Sequence, residues 1–273
     1  MLKQRVITAL MLGVGIILAI FFLPDWAWGA LISLVVLLAV REWCGLVKIG
    51  VLGQLVIALL SVLPILYCAS TPRELIEDLP FLLAALYLIS VSFWLFSVPT
   101  FLYFRMEPAG WYWKYFAAIL MLSSCGMAML ELRRADPLLM VAAILVVCIA
   151  DISAFFAGRR FGKRKLAPEI SPGKTWEGVC GAIAGVLVFC LLLWFFVPAI
   201  RNALNLPLML IFSLLAVAVC VMGDLYESLL KREAGVKDSG SLLPGHGGVL
   251  DRIDAMLAFM PCAGTLLLFI QLA

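Results

Sequence analysis

An all-α polytopic integral membrane protein is the fold class predicted for this chain of 273 residues, and three observations predict it. Hydrophobic residues make up 65% of the sequence, against ~45–50% in a soluble globular domain. Charged residues account for only 14%. Apolar runs long enough to cross about 30 Å of hydrocarbon recur from one end to the other. The net charge of +3 is small and no long basic run occurs, so a nucleic-acid partner is not expected. The eight cysteines show no CxxC pairing and read as free core thiols.

Nine helices are expected, at Val6 to Leu23, Trp26 to Val40, Val51 to Ala69, Pro80 to Val98, Tyr115 to Leu130, Pro137 to Ala157, Val179 to Val197, Pro207 to Tyr226 and Val249 to Leu272. The second is short, which leaves eight as the other count. The first lacks an A-x-A cleavage pattern and reads as an uncut helix rather than a signal peptide. Lysine and arginine accumulate on the cytoplasmic side of membrane proteins. A cytoplasmic N-terminus places every Lys and Arg there except Arg73, Arg133, Arg134 and Arg201. Trp26, Trp28, Trp111, Tyr112 and Trp113 are expected as interfacial anchors.

Residues 1–130 carry no evident chemistry and are expected to be a transmembrane scaffold. Residues 131–273 are expected to form the catalytic region. Asp151 lies near the end of the sixth helix, where an ionisable group is costly and a functional candidate. The basic run Arg159 to Lys165 serves equally well as a lipid-headgroup stop. Ser171-Pro172-Gly173-Lys174-Thr175-Trp176-Glu177-Gly178 then offers hydroxyls, backbone donors and a cation at a helix entrance. Thr175 also suits a plain helix cap, and the Walker spacing fails because residue 168 is proline.

The densest chemistry runs from Ser228 to Asp254. If the preceding helix continues past Gly223, Asp224, Glu227, Ser228 and Lys231 share one face. Downstream, Pro244-Gly245-His246-Gly247-Gly248 forms a flexible turn whose backbone N–H groups can approach phosphate closely. It leads into Asp251 and Asp254, a carboxylate pair suited to a hard divalent cation such as Mg2+. The loops after the sixth and eighth helices face the same side and are separated by a helical hairpin, so they can meet.

The spacing Ser228-x-Leu230-Lys231-Arg232-x4-Lys237-Asp238-x-Gly240-x2-Leu243-Pro244-x-His246-Gly247-Gly248-Val249-x-Asp251-Arg252-Ile253-Asp254 resembles the signature of the phosphatidate cytidylyltransferases, or CDP-diacylglycerol synthases. The string Ser171-Pro-x-Lys174-Thr175-x-Glu177-Gly178 is similar to a second motif of that family. The resemblance covers about Asp151 to Asp254. It implies transfer of the cytidylyl group of CTP to phosphatidate, giving CDP-diacylglycerol and pyrophosphate, in phospholipid biosynthesis, by a homodimer acting on membrane lipid.

A phosphate monoester has its second pKa near ~6, so the attacking phosphatidate oxygen needs no essential general base; positioning and charge neutralisation carry the reaction. Asp224 and Asp251 are the first choices for Mg2+ ligands, followed by Asp254 and Asp151, and four carboxylates are compatible with a second cation. Lys231, Arg232, Lys237, Lys174 and Arg252 are candidates for the phosphates, with Ser171, Thr175, Ser228, Asp238, His246, Gly247 and Gly248 as further substrate contacts. His246 also suits a hydrogen-bonded loop residue, and Arg252 a structural pair with Asp238 or Asp254. The competing class is a cation-coupled transporter using the same acids, which would place them near the membrane midplane within an internal repeat. Compactness fits a bacterial inner-membrane enzyme.

Overall fold

The computed structural model describes residues 2–72, 79–105, 110–242 and 247–272, and these are almost entirely helical. The order is α1 (Leu2–Phe22), α2 (Asp25–Leu46), α3 (Val51–Ser70), α4 (Leu79–Ser92), a π-helical turn (Phe93–Ser97), α5 (Val98–Phe104), α6 (Trp111–Ala135) and α7 (Pro137–Phe161). A two-stranded hairpin follows, β1 (Lys165–Ala167) and β2 (Ser171–Thr175), then α8 (Trp176–Phe196), α9 (Pro198–Ala203), α10 (Leu206–Glu233) and α11 (Leu250–Leu272). Among the described residues eight helical spans are long and apolar enough to cross a membrane, and a shorter apolar helix, Gly13–Phe22, lies within α1.

Several expected boundaries shift outward. The second span is not short: α2 continues to Leu46, because Arg41 and Glu42, which end an apolar run by composition, are good helix formers. The fourth span absorbs Pro99. Proline has no N–H to donate and its ring crowds the carbonyl four residues back, and the chain widens into the π-helical turn immediately before it. The segment after α7, expected to be a loop, is an antiparallel hairpin pairing Lys165 with Thr175 and Ala167 with Ser171, irregular between the two pairs.

One core runs through both halves of the chain. α11 packs on α6, α4 and α10, while α8 packs on α7 and α10. α7 and α8 approach through small residues: a side chain at Gly181 would collide with Ala157, and one at Gly185 with Ser153. Such stripes let backbones close where hydrocarbon offers no hydrophobic drive between helices. On α10, Tyr226 is fully buried among Trp43, Phe93, Trp94 and Phe101, with ring centroids 5.9–6.5 Å away. That cluster sets the rotation of the end of α10 that carries its charged residues.

Of the aromatics expected as interfacial anchors, Trp26, Trp111 and Tyr112 are exposed, and two others pack inside the protein. Trp28 is buried, donates from Nε1 to the Met129 carbonyl at 3.3 Å and lies under the Arg133 guanidinium. Trp113 is half-buried against Phe93 and Phe101. The cysteines are free, and six are buried, but Cys180 is exposed on α8.

At the opposite end of the molecule, Arg133 and Arg134 tie three helices together. Arg133 donates to the carbonyls of Ile20 and Leu23 and pairs with Asp25 at 2.8 Å. Arg134 donates to the Cys68 carbonyl at 2.7 Å and pairs with Asp25 at 2.9 Å. Both satisfy carbonyls that a helix end leaves without intrahelical partners. Arg133→Ala should therefore cost about 1–3 kcal/mol, as expected when buried acceptors lose a charged donor. The check is a lowered thermal midpoint in detergent, against no more than a minor change for the exposed Arg201→Ala.

Candidate functional site

The two motif-bearing segments meet at one end of the bundle, as their placement about a helical hairpin predicts. Arg232, near the end of α10, donates from Nε to the Ile170 carbonyl in the turn between β1 and β2 at 3.3 Å. Ile170 packs with Leu225 and Leu229 of α10. Glu177, in the first turn of α8, accepts from the backbone N–H groups of Lys163 at 3.1 Å and Arg164 at 3.2 Å. Thr175 caps α8 by accepting from the Gly178 N–H at 3.1 Å, the ordinary capping role its position suggests. The hairpin is thus fixed at both ends, with Ser171, Lys174 and Thr175 on one wall of a cavity.

This cavity measures about 430 Å³ and lies between α7, the hairpin, α8 and α10. That is within the range of small-ligand sites. Its polar lining includes Asp151, Arg159, Ser171, Lys174, Thr175 and Asp224. Across it Lys174 Nζ pairs with Asp224 Oδ2 at 2.5 Å, and Asp224 Oδ1 accepts from Ser228 Oγ at 3.4 Å. Asp254, one turn into α11, feels the charges of Asp224 and Asp151, with Lys174 partly offsetting them. Three carboxylates therefore share this side of the site with two cations, Lys174 and Arg159.

A second ionic group stands beside it. α10 runs unbroken past Gly223, so Glu227 and Lys231 sit one turn apart and pair at 2.5 Å. Lys231 Nζ also donates to Asp251 Oδ1 at 2.7 Å. Asp251 Oδ2 accepts from the Ser239 N–H at 2.9 Å and the Gly248 N–H at 2.8 Å. The loop between α10 and α11 is consequently pinned to the first turn of α11. Gly247 has φ +80° there, and a side chain on it would meet Asp251 Oδ2 at 2.8 Å, so glycine is required by both backbone and space.

The candidates distribute unevenly. Asp151, Ser171, Lys174, Thr175 and Asp224 line the cavity; Asp254 adjoins it through charge. Asp251, Lys231 and Ser228 are built into the framework beside it. Arg232 is occupied by backbone carbonyls, including that of Val236 at 3.5 Å. Lys237, Asp238 and Arg252 are exposed, and Arg252 exerts its charge on Asp151. His246 lies outside the described residues. Two members escaped sequence reading. Glu227 shares the face of Asp224 and Lys231 and proves to pair with Lys231, and Glu42 is an acid at the charged end of an apolar helix, the same signal that singles out Asp151.

Among the described residues no three acidic, His or Cys side chains stand together as a ready metal cage. Mg2+ is commonly bound by one or two carboxylates with substrate phosphates and water completing the shell, so the oxygen donors here suit it without such a cage. A carboxylate offers about four lone-pair sites, and Asp251 uses at least three of them, on Lys231, Ser239 and Gly248.

Sequence comparison places these residues in context. Residues 3–270 match the model of the Cytidylyltransferase family. A protein of Pseudomonas aeruginosa named phosphatidate cytidylyltransferase is 39% identical over 98% of this chain and 97% of its own length. One of the same name from Haemophilus influenzae is 34% identical, covering 96% of each. Its Helicobacter pylori namesake is 49% identical over 114 residues, 42% of this chain and 41% of its own.

Lys231 is the partner that two buried carboxylates share, so its removal should act on the folded state itself. Lys231→Met is expected to destabilise the substrate-free protein by roughly 3–5 kcal/mol, the cost of stranding a buried charge. The readout is the thermal midpoint in detergent; Asp251→Asn in the same background should restore part of the loss.

Proposed function

The chain belongs to the cytidylyltransferase family, and we propose that it transfers the cytidylyl group of CTP to phosphatidate, releasing pyrophosphate and leaving CDP-diacylglycerol. The observation that carries this reading is a largely apolar cavity that holds two carboxylates, Lys174 and Arg159 at one end of a bundle of membrane helices, in a chain that matches proteins of that name over nearly their whole length. A water-soluble nucleotide and a lipid phosphate can reach the same atoms only at such a boundary. The transporter alternative has no comparable support: Asp151 and Asp224, between two and three turns inside α7 and α10, line one cavity together with Lys174 beside the hairpin, and the relatives carry the name of a cytidylyltransferase.

In this mechanism a phosphatidate oxygen attacks the α-phosphorus of CTP in line, the bond to the bridging oxygen breaks, and pyrophosphate leaves with its electrons. The nucleophile is already an anion near neutral pH, so the protein's work is to hold two anions together. Lys174 is positioned to exchange its pairing with Asp224 for a substrate phosphate. Ser171 and Thr175 add hydroxyls on the same wall; Lys237 and Gly247 of the loop between α10 and α11 and Arg252 in the first turn of α11 are the further candidates for the phosphates, while the Gly248 N–H is already given to Asp251. Mg2+, when bound, would neutralise charge developing on the leaving pyrophosphate. Asp224 and Asp251, with Asp254 and Asp151 behind them, are the residues that would hold it.

Residues 131–273 then carry the chemistry on a scaffold formed by 1–130. The charged helix ends face the cytoplasm, where CTP is found. Bacterial relatives and the apolar spans support residence in the inner membrane, and the family likeness supports a homodimer.

Detergent-purified protein should release pyrophosphate only when CTP, phosphatidate and Mg2+ are all present, and Asp224→Ala, at the carboxylate that faces the cavity, should lose that activity while still eluting as folded protein. Turnover without phosphatidate, or full activity in the variant, would refute the assignment. With no essential base, kcat/KM should fall only as pH drops through about 6, where the phosphate monoester takes up its second proton. A profile that continued to rise well above neutrality would point to a titrating base instead.

A further inference from the structure

Glu42 lies near the end of α2, far in sequence from every motif, yet its carboxylate is buried within the loop that joins α10 to α11. Oε1 accepts from the Val249 N–H at 3.0 Å, and Oε2 accepts from the Leu250 N–H at 2.7 Å and from Ser239 Oγ at 2.9 Å. Val249 and Leu250 open α11, where backbone donors have no intrahelical acceptor and a negative charge is favoured by the helix dipole. The capping residue is thus supplied by another helix rather than by the preceding loop.

The loop is shaped around this carboxylate. A side chain at Gly240 would approach Glu42 Oε1 to 2.5 Å, and one at Gly248 would collide with both Glu42 and Ser239. The neighbouring carboxylate of Asp251 takes the Ser239 and Gly248 N–H groups. Glu42 and Asp251 therefore hold the two sides of one loop, Ser239 being bound by both. Trp43, next to Glu42, packs on Tyr226 of α10 at 6.3 Å, which limits how far the end of α2 can move.

We propose that Glu42 is a positioning residue for nucleotide binding: it holds the loop between α10 and α11, with Lys237 and Gly247, in the conformation that meets the phosphates of CTP. This rests on the cytidylyl-transfer reading for its substrate, but the loop restraint itself does not. Loss of the carboxylate frees the loop, and CTP must then order it on binding. The ordering cost falls on substrate binding, so saturating CTP recovers turnover.

Glu42→Gln keeps the shape and one acceptor oxygen; Glu42→Ala removes both acceptors. The experiment measures the kinetics of detergent-purified wild type and both variants across CTP concentrations, with amide hydrogen exchange of the same samples. The expected result is a KM for CTP raised about tenfold or more, as for loss of one charge-assisted hydrogen bond, with kcat little changed and a larger rise for Ala than for Gln. Exchange should quicken at Ser239, Val249 and Leu250 and not in α7 or α8. A merely structural role would lower the active fraction and hence kcat, leaving KM unchanged, and that outcome overturns the proposal. If Glu42→Ala does not fold, the Gln variant decides by the same criteria. If wild type shows no turnover, the functional reading fails, and unchanged exchange in the Gln variant would separately refute the restraint.

Discussion

Charge at the edge of hydrocarbon must be matched within the protein, and this constraint organises the whole molecule. Water is scarce among apolar helices, and an unpaired ion or backbone group there carries a penalty of several kcal/mol. Each charged position resolves it in a specific way. Arg133 and Arg134 neutralise Asp25 and occupy helix-end carbonyls. Lys231 serves Glu227 and Asp251 together. Glu42 takes donors from the start of α11. Lys174 and Asp224 are matched to each other but face a cavity, so theirs is the pairing that a ligand can exchange.

That difference separates framework from site. The Lys231 side chain is 12% exposed and its two carboxylate partners 5–6%, whereas Lys174 and Asp224 are 23% and 34% exposed. A phosphate can compete for Lys174 without dismantling the loop, while drawing Lys231 away would strand two acids. The small residues between α7 and α8, and the aromatic packing around Tyr226, fix the distance between the cavity walls. The chemistry is therefore placed by contacts that have no chemistry of their own.

The order of helices, the motif-bearing segments and their meeting at one end were all legible in the sequence. Apolar length reports spans, and a helical hairpin between two loops returns the chain to the same side. The capping role of Thr175 was readable too, being a local property of four consecutive residues. What escaped was what depends on distant partners. Trp28 has the composition of an interfacial anchor but faces the core, because Arg133 and the Met129 carbonyl lie beside it. The hairpin after α7 passes for a loop since its strands are short and carry proline and glycine. That Arg232, a candidate phosphate ligand, also reaches the Ile170 carbonyl is likewise invisible along the chain.

The sequence by itself determined that this is a helical membrane protein and, through fixed spacings from Ser171 to Asp254, that its family is one of cytidylyl transfer. Both are one-dimensional properties: hydrocarbon thickness sets a run length, and local motifs fix which groups a short segment can present. Only the tertiary structure decided which charges face the cavity and which are committed to partners in the framework. Glu42 stands nearly two hundred residues before the loop it holds, and no pattern along the chain encodes that pairing; it arises because α2, α10 and α11 pack side by side and a carboxylate must find donors where water cannot supply them.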